Sequence, residues 1–409
     1  MNSLLKKYLN LLKNRDFFLL TLIIFIGQLA SAFLVLALIA SVYKQTGSNF
    51  GVSGVILSFA IPGFFLMAFA GLVADIFDRK TIIVVANFVI MLVVLVILLS
   101  GQVVYASIPL AFLYFAGNSF FIPASSAATA QLVKKPQILV ANSLFIFALA
   151  GGVIFGLFAA AVLSFFAGSE AVLIICEFLL ILAALLSLFL PKLPPRTREK
   201  LVFFSTLVDI LASFGYIFSK QSIWFFFVCF ALIQGIIAFG ITLAPGFFDA
   251  VVGINIEKSP ILIFPLIGLG VFVGTLTVQT SKFREGFFCA LGIALLGIGS
   301  LVVGILIKIV PSSKFLFLPI VIYMVMLGLG AVIVMIASRA ALQKNVSHHY
   351  QGTVFGGNII LASLFSGLLS PAAAAFEAIW GYSNILIWSG AILLFGGLLI
   401  FAVANKWKF

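Results

Sequence analysis

Hydrophobic residues occur in long uninterrupted runs, without the alternation of a half-buried strand or the one-sided pattern of a water-soluble helix. A helix that crosses a bilayer needs about 20 mostly apolar residues, and twelve runs meet this requirement. Short segments with Pro, Gly, Asn, Ser or charge separate them. The predicted spans are 17–42, 52–73, 81–100, 104–128, 139–164, 170–190, 221–247, 259–280, 286–308, 315–341, 353–376 and 384–404.

The composition leads to the same fold class, an all-α membrane protein with twelve transmembrane helices. Hydrophobic residues make up 64% of the 409 residues and charged residues 8%, against about 25% charged residues in soluble domains. A water-soluble protein of this length would have too little polar surface to cover itself. A cytosolic enzyme is therefore excluded. The first run is too long for a signal peptide and has no cleavage site, so we expect it to be retained.

The basic residues predict the orientation of the spans. With the N-terminus inside, four of the 23 Lys and Arg residues fall outside, namely Lys44, Lys258, Lys308 and Lys314. The other nineteen fall on the inside, as the positive-inside rule requires. We therefore predict a multi-pass protein of the cell inner (plasma) membrane with both termini cytoplasmic. The same distribution explains the net charge of +12 without nucleic acid.

The spans divide into two groups of six, which predicts two pseudo-symmetric halves. The predicted divisions are an N-terminal half 1–190, a cytoplasmic linker 191–220 and a C-terminal half 221–409. The linker opens with prolines that cannot continue a helix. Within it, the stretch from Leu201 to Ser219 is amphipathic and predicts a helix at the inner membrane surface.

The loop between spans 2 and 3 carries the most specific motif. It reads Gly71-Leu-Val-Ala-Asp75-Ile-Phe-Asp78-Arg79-Lys80. This G-x-x-x-D-x-x-x-R-K pattern, on an inside loop between two spans, resembles the signature of the major facilitator superfamily. Tyr43–Ser48, Pro62, Phe120–Ala124 and Ala141–Leu144 extend the resemblance to the bacterial drug-efflux branch, which includes macrolide and siderophore exporters.

The resemblance implies that Gly71, Asp75, Arg79 and Lys80 form a gate. Such a gate makes charge contacts with the neighbouring half in one conformation and loses them in another. A small residue at Gly71 predicts close helix packing, and Asp75 is an acid at the membrane edge. The alternative is that Arg79 and Lys80 only set the topology.

Two departures from the superfamily's antiporters concern coupling. Span 5 keeps the small-residue spacing of Gly152 and Gly156, which predicts close helix packing. Leu157 stands where antiporters often have proline, and span 4 lacks the arginine of many proton-coupled members. Both departures argue against proton antiport.

Polar residues inside spans are candidates for function. Glu177 in span 6 is the candidate coupling site, with a role at the outer interface or in a buried hydrogen bond as the alternative. The resemblance places spans 1, 4, 7 and 10 around a central cavity. It implies a cavity lined by Gln28, Asn118, Ser119, Gln234 and Tyr323. Hydrogen bonding between helices is the alternative for these five.

These features favour a secondary transporter that works by alternating access and exports a small amphipathic compound or drug. The same fold could carry a lysophospholipid or a nutrient, or serve as a transport-dead sensor or scaffold. No phosphate-binding loop of a primary pump occurs in the sequence. We expect no enzyme activity, metal or cofactor. The expected partners are a small-molecule substrate, the lipid bilayer and protons, without nucleic acid, and the expected state is a monomer.

Overall fold

The computed structural model describes residues 8, 11–101, 103–195, 215, 217–218, 220–281, 284–310, 313–347 and 351–407. These residues form helices joined by short turns, so the predicted all-α class is confirmed. The helices are α1 (Arg15–Thr46), α2 (Asn49–Phe65), α3 (Met67–Ile76), α4 (Arg79–Leu99), α5 (Val104–Gln131), α6 (Ile138–Leu188), α7 (Gln221–Phe247), α8 (Ser259–Thr280), α9 (Glu285–Ile309), α10 (Ser313–Asn345) and α11 (Gln351–Trp407). A 3₁₀ turn at Lys135–Gln137 precedes α6, and a π-helical turn at Phe248–Val252 follows α7. The terms inner and outer follow the orientation predicted from the charges.

Most of these helices have the length and hydropathy of membrane spans. Within the described part of the chain, nine helices could cross a membrane, or ten if α2 and α3 count as one bent span. The break between α2 and α3 bends the chain by 56°. Pro62 lies inside α2 just before this break, where the missing N–H weakens the helix.

Two helices are too long to be single spans. Helix α6 has 51 residues and α11 has 57, which correspond to roughly 75–85 Å at 1.5 Å per residue. Each contains one glycine in the left-handed region, Gly168 (φ 80°) in α6 and Gly381 (φ 72°) in α11. Only glycine adopts this conformation at low cost. The breaks fall between predicted spans 5 and 6 and between spans 11 and 12, where the sequence predicts loops.

The chain forms two compact units. Unit 1 consists of Met1–Gln45 and Ile61–Ser205, and unit 2 of Thr46–Ala60 and Thr206–Phe409. Helix α2 is divided between the units after Ala60. The predicted amphipathic helix of the linker lies almost entirely outside the described residues.

Unit 1 is held together at its inner end by one apolar cluster. The cluster takes residues from α1, α3, α4, α5 and α6 and from the segment after α6, including Leu20, Ala74, Ile83, Phe121 and Leu193. Further out, Gly152 and Gly156 of α6 face α1. A Cβ atom built on either glycine would lie within 3 Å of α1, at Phe25 O or Leu29 O. The close packing predicted for the two glycines is therefore present.

Unit 2 also relies on close approaches between helices. Helix α9 packs against α10 and α11, and α8 packs against α10. Gly292 faces Gly330 O, and Gly297 faces Gly390 O, each at distances that leave no room for a side chain. Larger residues at these positions would force the helices apart.

Candidate functional site

The inner loop of unit 1 is built around a buried arginine. Arg79 is 2% exposed, although it stands on a loop that the sequence places at the inner side of the membrane. Its Nε donates to Ala74 O at 3.3 Å, and its guanidinium lies 3.9 Å from the Asp75 carboxylate. The Asp75 side chain is 54% exposed. The arginine therefore closes the turn between α3 and α4 and leaves most of the Asp75 carboxylate accessible to another group.

Asp78 has a structural role that the sequence analysis did not assign. It is the N-cap of α4, and its Oδ1 accepts a hydrogen bond from the Thr81 N–H at 3.3 Å. Aspartate is among the preferred N-cap residues. Its position three residues before predicted span 3 was the available signal.

The other two residues of the motif contribute less to the local packing. A Cβ on Gly71 would meet no described atom within 4 Å, so the close packing predicted at this glycine is absent from the structure. Lys80 is half-buried and lies one residue past the buried arginine.

The start of the linker is bound to this loop. The Arg79 backbone N–H donates to Leu193 O at 3.0 Å, and Gln131 Nε2 donates to Pro194 O at 2.9 Å. Leu193 is 4% exposed and belongs to the inner apolar cluster. The loop motif, the inner end of α5 and the first linker residues thus form one packed assembly within unit 1.

Helices α1 and α5 place several polar residues at one depth. Ser31 Oγ and Tyr114 Oη are hydrogen-bonded at 2.7 Å, and both side chains are buried. A Cβ on Gly27 would lie 3.8 Å from the Phe121 ring, so the two helices are antiparallel here. Gln28 lies about one turn from Ser31 towards the inner end of α1. Asn118 lies about one turn from Tyr114, also towards the inner side, because α5 runs the opposite way. These two amides therefore lie at similar depth on adjacent helices.

The three predicted cavity residues of unit 1 differ in their hydrogen bonds. Gln28 is 7% exposed, and its Nε2 has no hydrogen-bond partner among the described residues. Asn118 is half-buried. Ser119 is buried, and its Oγ donates to Phe115 O of its own helix at 2.9 Å. Gln28 thus keeps an amide donor for another molecule, whereas the Ser119 hydroxyl is engaged.

Glu177 is the one acid among the buried side chains of the described residues, with 5% exposure. Both of its carboxylate oxygens lack hydrogen-bond partners within the described part of the chain. The adjacent Cys176 donates from Sγ to Ala30 O of α1 at 3.2 Å, which places this turn of α6 against α1. An ionised carboxylate without a partner is costly in such surroundings, so the site favours a neutral acid or a bound cation.

The predicted cavity residues of unit 2 bond to their own unit. Gln234 Nε2 donates to Phe230 O within α7 at 3.3 Å. Tyr323 is 8% exposed, and its hydroxyl is hydrogen-bonded to Ser300 of α9 at 3.1 Å. The two residues belong to different surroundings, since Tyr323 packs in the outer apolar cluster with Phe248 and Leu316.

Comparison with known protein families decides the identity of the fold. The family model of the Major Facilitator Superfamily matches residues 18–371. The chain belongs to the major facilitator superfamily. A search of curated proteins found no match. Membership in this superfamily makes the protein a multi-pass membrane transporter and not an enzyme.

Solved structures with the superfamily fold resemble this transporter over nearly its whole length. The nucleoside transporter NupG has a TM-score of 0.74 and 15% identity, covering 95% of this chain and 99% of that chain. The POT family transporter PepTSo has a TM-score of 0.74 and 13% identity, with coverage of 96% and 98%. A POT family transporter in complex with 5-aminolevulinic acid has a TM-score of 0.77 and 11% identity, with coverage of 96% for both chains. At these identities the likeness establishes the fold alone.

The hydrogen bond between Ser31 and Tyr114 of this superfamily member was not predicted from the sequence. Both residues stand in spans 1 and 4, which the resemblance already assigned to the cavity. A serine and a tyrosine in apolar runs gave no sign that they would bond to each other. Their pairing depends on the rotation of α1 against α5, which side-chain packing sets.

Proposed function

We propose that the protein is a secondary transporter that moves a small amphipathic solute by alternating access, with export as the preferred direction. The observation that carries this proposal is the near absence of buried charge. Among the described residues, Arg79 and Glu177 are the charged types that are buried, and Arg79 lies at the inner end of its helix. A multiply charged substrate would find no counter-charges in such an interior. A largely apolar solute with few polar groups fits it better.

The proposal includes twelve spans in two halves of six. The two long helices each contain a glycine break, and α2 with α3 has the length of one bent span. Counting α6 and α11 as two spans each gives twelve. The divisions 1–190, 191–220 and 221–409 follow the same count.

Within this scheme, Gly71, Asp75, Arg79 and Lys80 act as the inner gate. The exposed carboxylate of Asp75 supports this role, because it is held near a buried arginine and remains accessible to a further donor. A Cβ on Gly71 would meet no described atom within 4 Å, which leaves room for a neighbouring helix to approach in another conformation.

The proposed cavity is lined by Gln28, Asn118, Ser119, Gln234 and Tyr323. Gln28 and Asn118 are the residues we assign to direct contact with substrate, since they lie at one depth and Gln28 has a free amide donor. The other three have their polar groups bonded within the protein and contribute shape and polarity.

Glu177 is the proposed coupling group, with the proton as the coupling ion. Its two unpartnered oxygens support this role, because a buried acid that takes up and releases a proton needs no fixed partner. The missing proline at Leu157 and the absence of an arginine from span 4 remain departures from proton-coupled relatives.

The proposed orientation has both termini in the cytoplasm of a cell with an inner (plasma) membrane. Cysteines introduced singly at Ser48 and Ser281 test it in intact cells. We expect a membrane-impermeant thiol reagent to label the cysteine at position 48 from outside and that at position 281 only after permeabilisation. The reverse pattern would contradict the orientation, and labelling of both from outside would contradict the span count.

A growth panel tests the export of an amphipathic compound. Cells with and without the protein are challenged with drugs, dyes, siderophores and lysolipids, and an Asp75→Asn variant serves as a control for expression without full transport. Export predicts higher tolerance to at least one amphipathic compound. Nutrient uptake is the second candidate, because NupG is described as a nucleoside transporter and PepTSo as a POT family transporter. It predicts instead growth on a nutrient or sensitivity to its toxic analogue.

A further inference from the structure

A polar cluster in unit 2 joins the outer ends of α2 and α7 to the break in α11. Asn49, the first residue of α2, donates from Nδ2 to Glu377 Oε2 at 3.0 Å and to Tyr382 Oη at 2.7 Å. Glu377 and Tyr382 flank the break of α11 at Gly381. We name Asn49, Glu377 and Tyr382 the outer cluster. It links residues that are more than 300 positions apart in the chain.

The third helix of the outer cluster contributes backbone. Gly246 of α7 faces it so closely that a Cβ on this glycine would overlap the Tyr382 hydroxyl and lie 2.9 Å from Asn49 Nδ2. The Tyr382 ring also makes an edge contact with Phe247, with ring centroids 6.0 Å apart. Asn49 is 3% exposed as a result. The contact is therefore specific and cannot tolerate a side chain at position 246.

Helix α2, which carries Asn49, continues from unit 2 into unit 1. Residues Thr46–Ala60 belong to unit 2, and the helix continues into unit 1 from Ile61. A motion of one unit against the other would therefore act on α2, by bending it near Pro62 or by breaking contacts at one of its ends.

The chemistry of the outer cluster suits a contact that breaks. Asn49 is uncharged, and its Oδ1 accepts no hydrogen bond from the described residues. Glu377 is half-buried, so water reaches its carboxylate at little cost when the amide leaves. Polar groups at a membrane edge exchange protein partners for water readily, whereas interlocked apolar side chains do not.

We propose that Asn49 is a positioning residue for transport, which holds the outer end of α2 on Glu377 and Tyr382 and releases it once per cycle. This inference rests on the alternating-access function proposed above.

Cross-linking tests whether the contact must break. Asn49→Cys and Glu377→Cys are combined in a background without Cys176, Cys229 and Cys289, and joined by a short reversible bis-thiol reagent. We expect the linked protein to lose transport at least about ten-fold and to recover after reduction. Each single variant treated with the reagent should transport at the same rate as that variant without the reagent. Unchanged transport in the linked protein would overturn the proposal and identify the contact as a permanent anchor, with bending at Pro62.

Labelling tests the release without a known substrate. Ser53, one turn from Asn49 and 3% exposed, is replaced by cysteine in the same background, and its reaction with an impermeant thiol reagent is timed from outside. Asn49→Ala should speed labelling about five-fold, and Tyr382→Phe should speed it less, because one hydrogen bond remains. The matched control is Asn384→Ala, since the Asn384 amide bonds to Trp380 O within its own helix.

The outcomes of the two assays are distinguishable. Labelling that is unchanged in both Asn49→Ala and Tyr382→Phe overturns the inference, and Tyr382→Phe decides alone if Asn49→Ala does not fold. Failure of the proposed function would appear as an absence of transport in the unlinked wild-type protein. The labelling rates would still report on the outer cluster in that case.

Discussion

The buried polar groups of the two units differ in what they bond to. In unit 2, Thr242 is hydrogen-bonded to Ser370 at 2.7 Å, and the Asn358 amide donates to Phe227 O at 2.8 Å, so that both pairs join α7 to α11. In unit 1, the oxygens of Glu177 and the amide nitrogen of Gln28 have no partners among the described residues. A buried polar group without a partner is costly, so it persists where a proton, water or substrate satisfies it. We propose that the unpartnered groups of unit 1 bind protons and substrate, whereas these two hydrogen bonds of unit 2 hold α7 and α11 together.

The division between the units is not complete. In unit 1, the hydrogen bond between Ser31 and Tyr114 joins α1 to α5. In unit 2, the Asn358 Oδ1 lacks a partner among the described residues. What distinguishes unit 1 is an ionisable group among its unsatisfied atoms. The following variants test whether that difference is functional.

Glu177→Gln should have the largest effect. The amide keeps the shape of the side chain but cannot take up and release a proton at neutral pH, so transport driven by a pH gradient in inverted vesicles should be abolished. Exchange of labelled for unlabelled substrate without a gradient should survive, because it needs no net proton movement. The matched control is Glu170→Gln, an exposed acid seven residues earlier in α6, which should transport as wild type. Gradient-driven transport in the Glu177 variant would make this residue structural.

The two glutamines offer a matched pair across the units. Gln28→Ala should raise the KM for substrate about ten-fold, the equivalent of one lost hydrogen bond of about 1.4 kcal/mol. Gln234→Ala should change the KM less than about two-fold, because the Gln234 amide already bonds to Phe230 O. Equal effects of the two variants on KM would show that the unpartnered amide of Gln28 and the bonded amide of Gln234 do not differ in substrate binding.

Asp75→Asn tests the inner gate of unit 1 and should slow the cycle about five-fold, corresponding to about 1 kcal/mol of lost charge-assisted contact. Substrate binding measured at equilibrium should be unchanged. Asp78→Asn is the control, since asparagine caps a helix as well as aspartate does and the Thr81 N–H keeps its acceptor. A wild-type rate for Asp75→Asn would reduce the loop motif to a topology signal.

Removal of a hydrogen bond that joins two helices of unit 2 should have the smallest effect on transport. Tyr323→Phe leaves Ser300 without its tyrosine partner and should lower the free energy of unfolding by about 0.5–1.5 kcal/mol, measured as a lower Tm in detergent. Transport per folded molecule should stay at the wild-type rate. A loss of substrate affinity without a change in Tm would instead assign Tyr323 to direct contact with substrate.

The sequence predicted the all-α class and most helix positions, because a bilayer-crossing helix leaves a direct hydropathy signal. It predicted loops after spans 5 and 11, where the structure has a single glycine break in a continuous helix. Hydropathy shows where an apolar run weakens. It does not show whether the chain forms a loop there or breaks the helix at one residue with positive φ, as at Gly168. Close helix packing at Gly152 and Gly156 was predictable from their spacing, whereas their partner α1 was not.

The candidate site was less predictable, because hydrogen-bond partners depend on helix rotation. The motif located Arg79 at the inner loop, but nothing in its neighbours indicated that its side chain would be buried or that its backbone N–H would bond to Leu193 O. Glu177 stood out as an acid in an apolar run, and its lack of a partner emerged only from packing. Asn49 carried no signal at all, since its partners lie between predicted spans 11 and 12, far away in sequence.

The most direct test of the central claim is the number of protons that move with each substrate molecule. Purified protein in liposomes that contain a pH-sensitive dye would be given a substrate from the growth panel, and proton and substrate fluxes would be recorded together. The account predicts substrate-dependent proton movement in the wild-type protein and in Glu170→Gln, and none in Glu177→Gln. The same proton-to-substrate ratio in Glu177→Gln as in the wild type would contradict it.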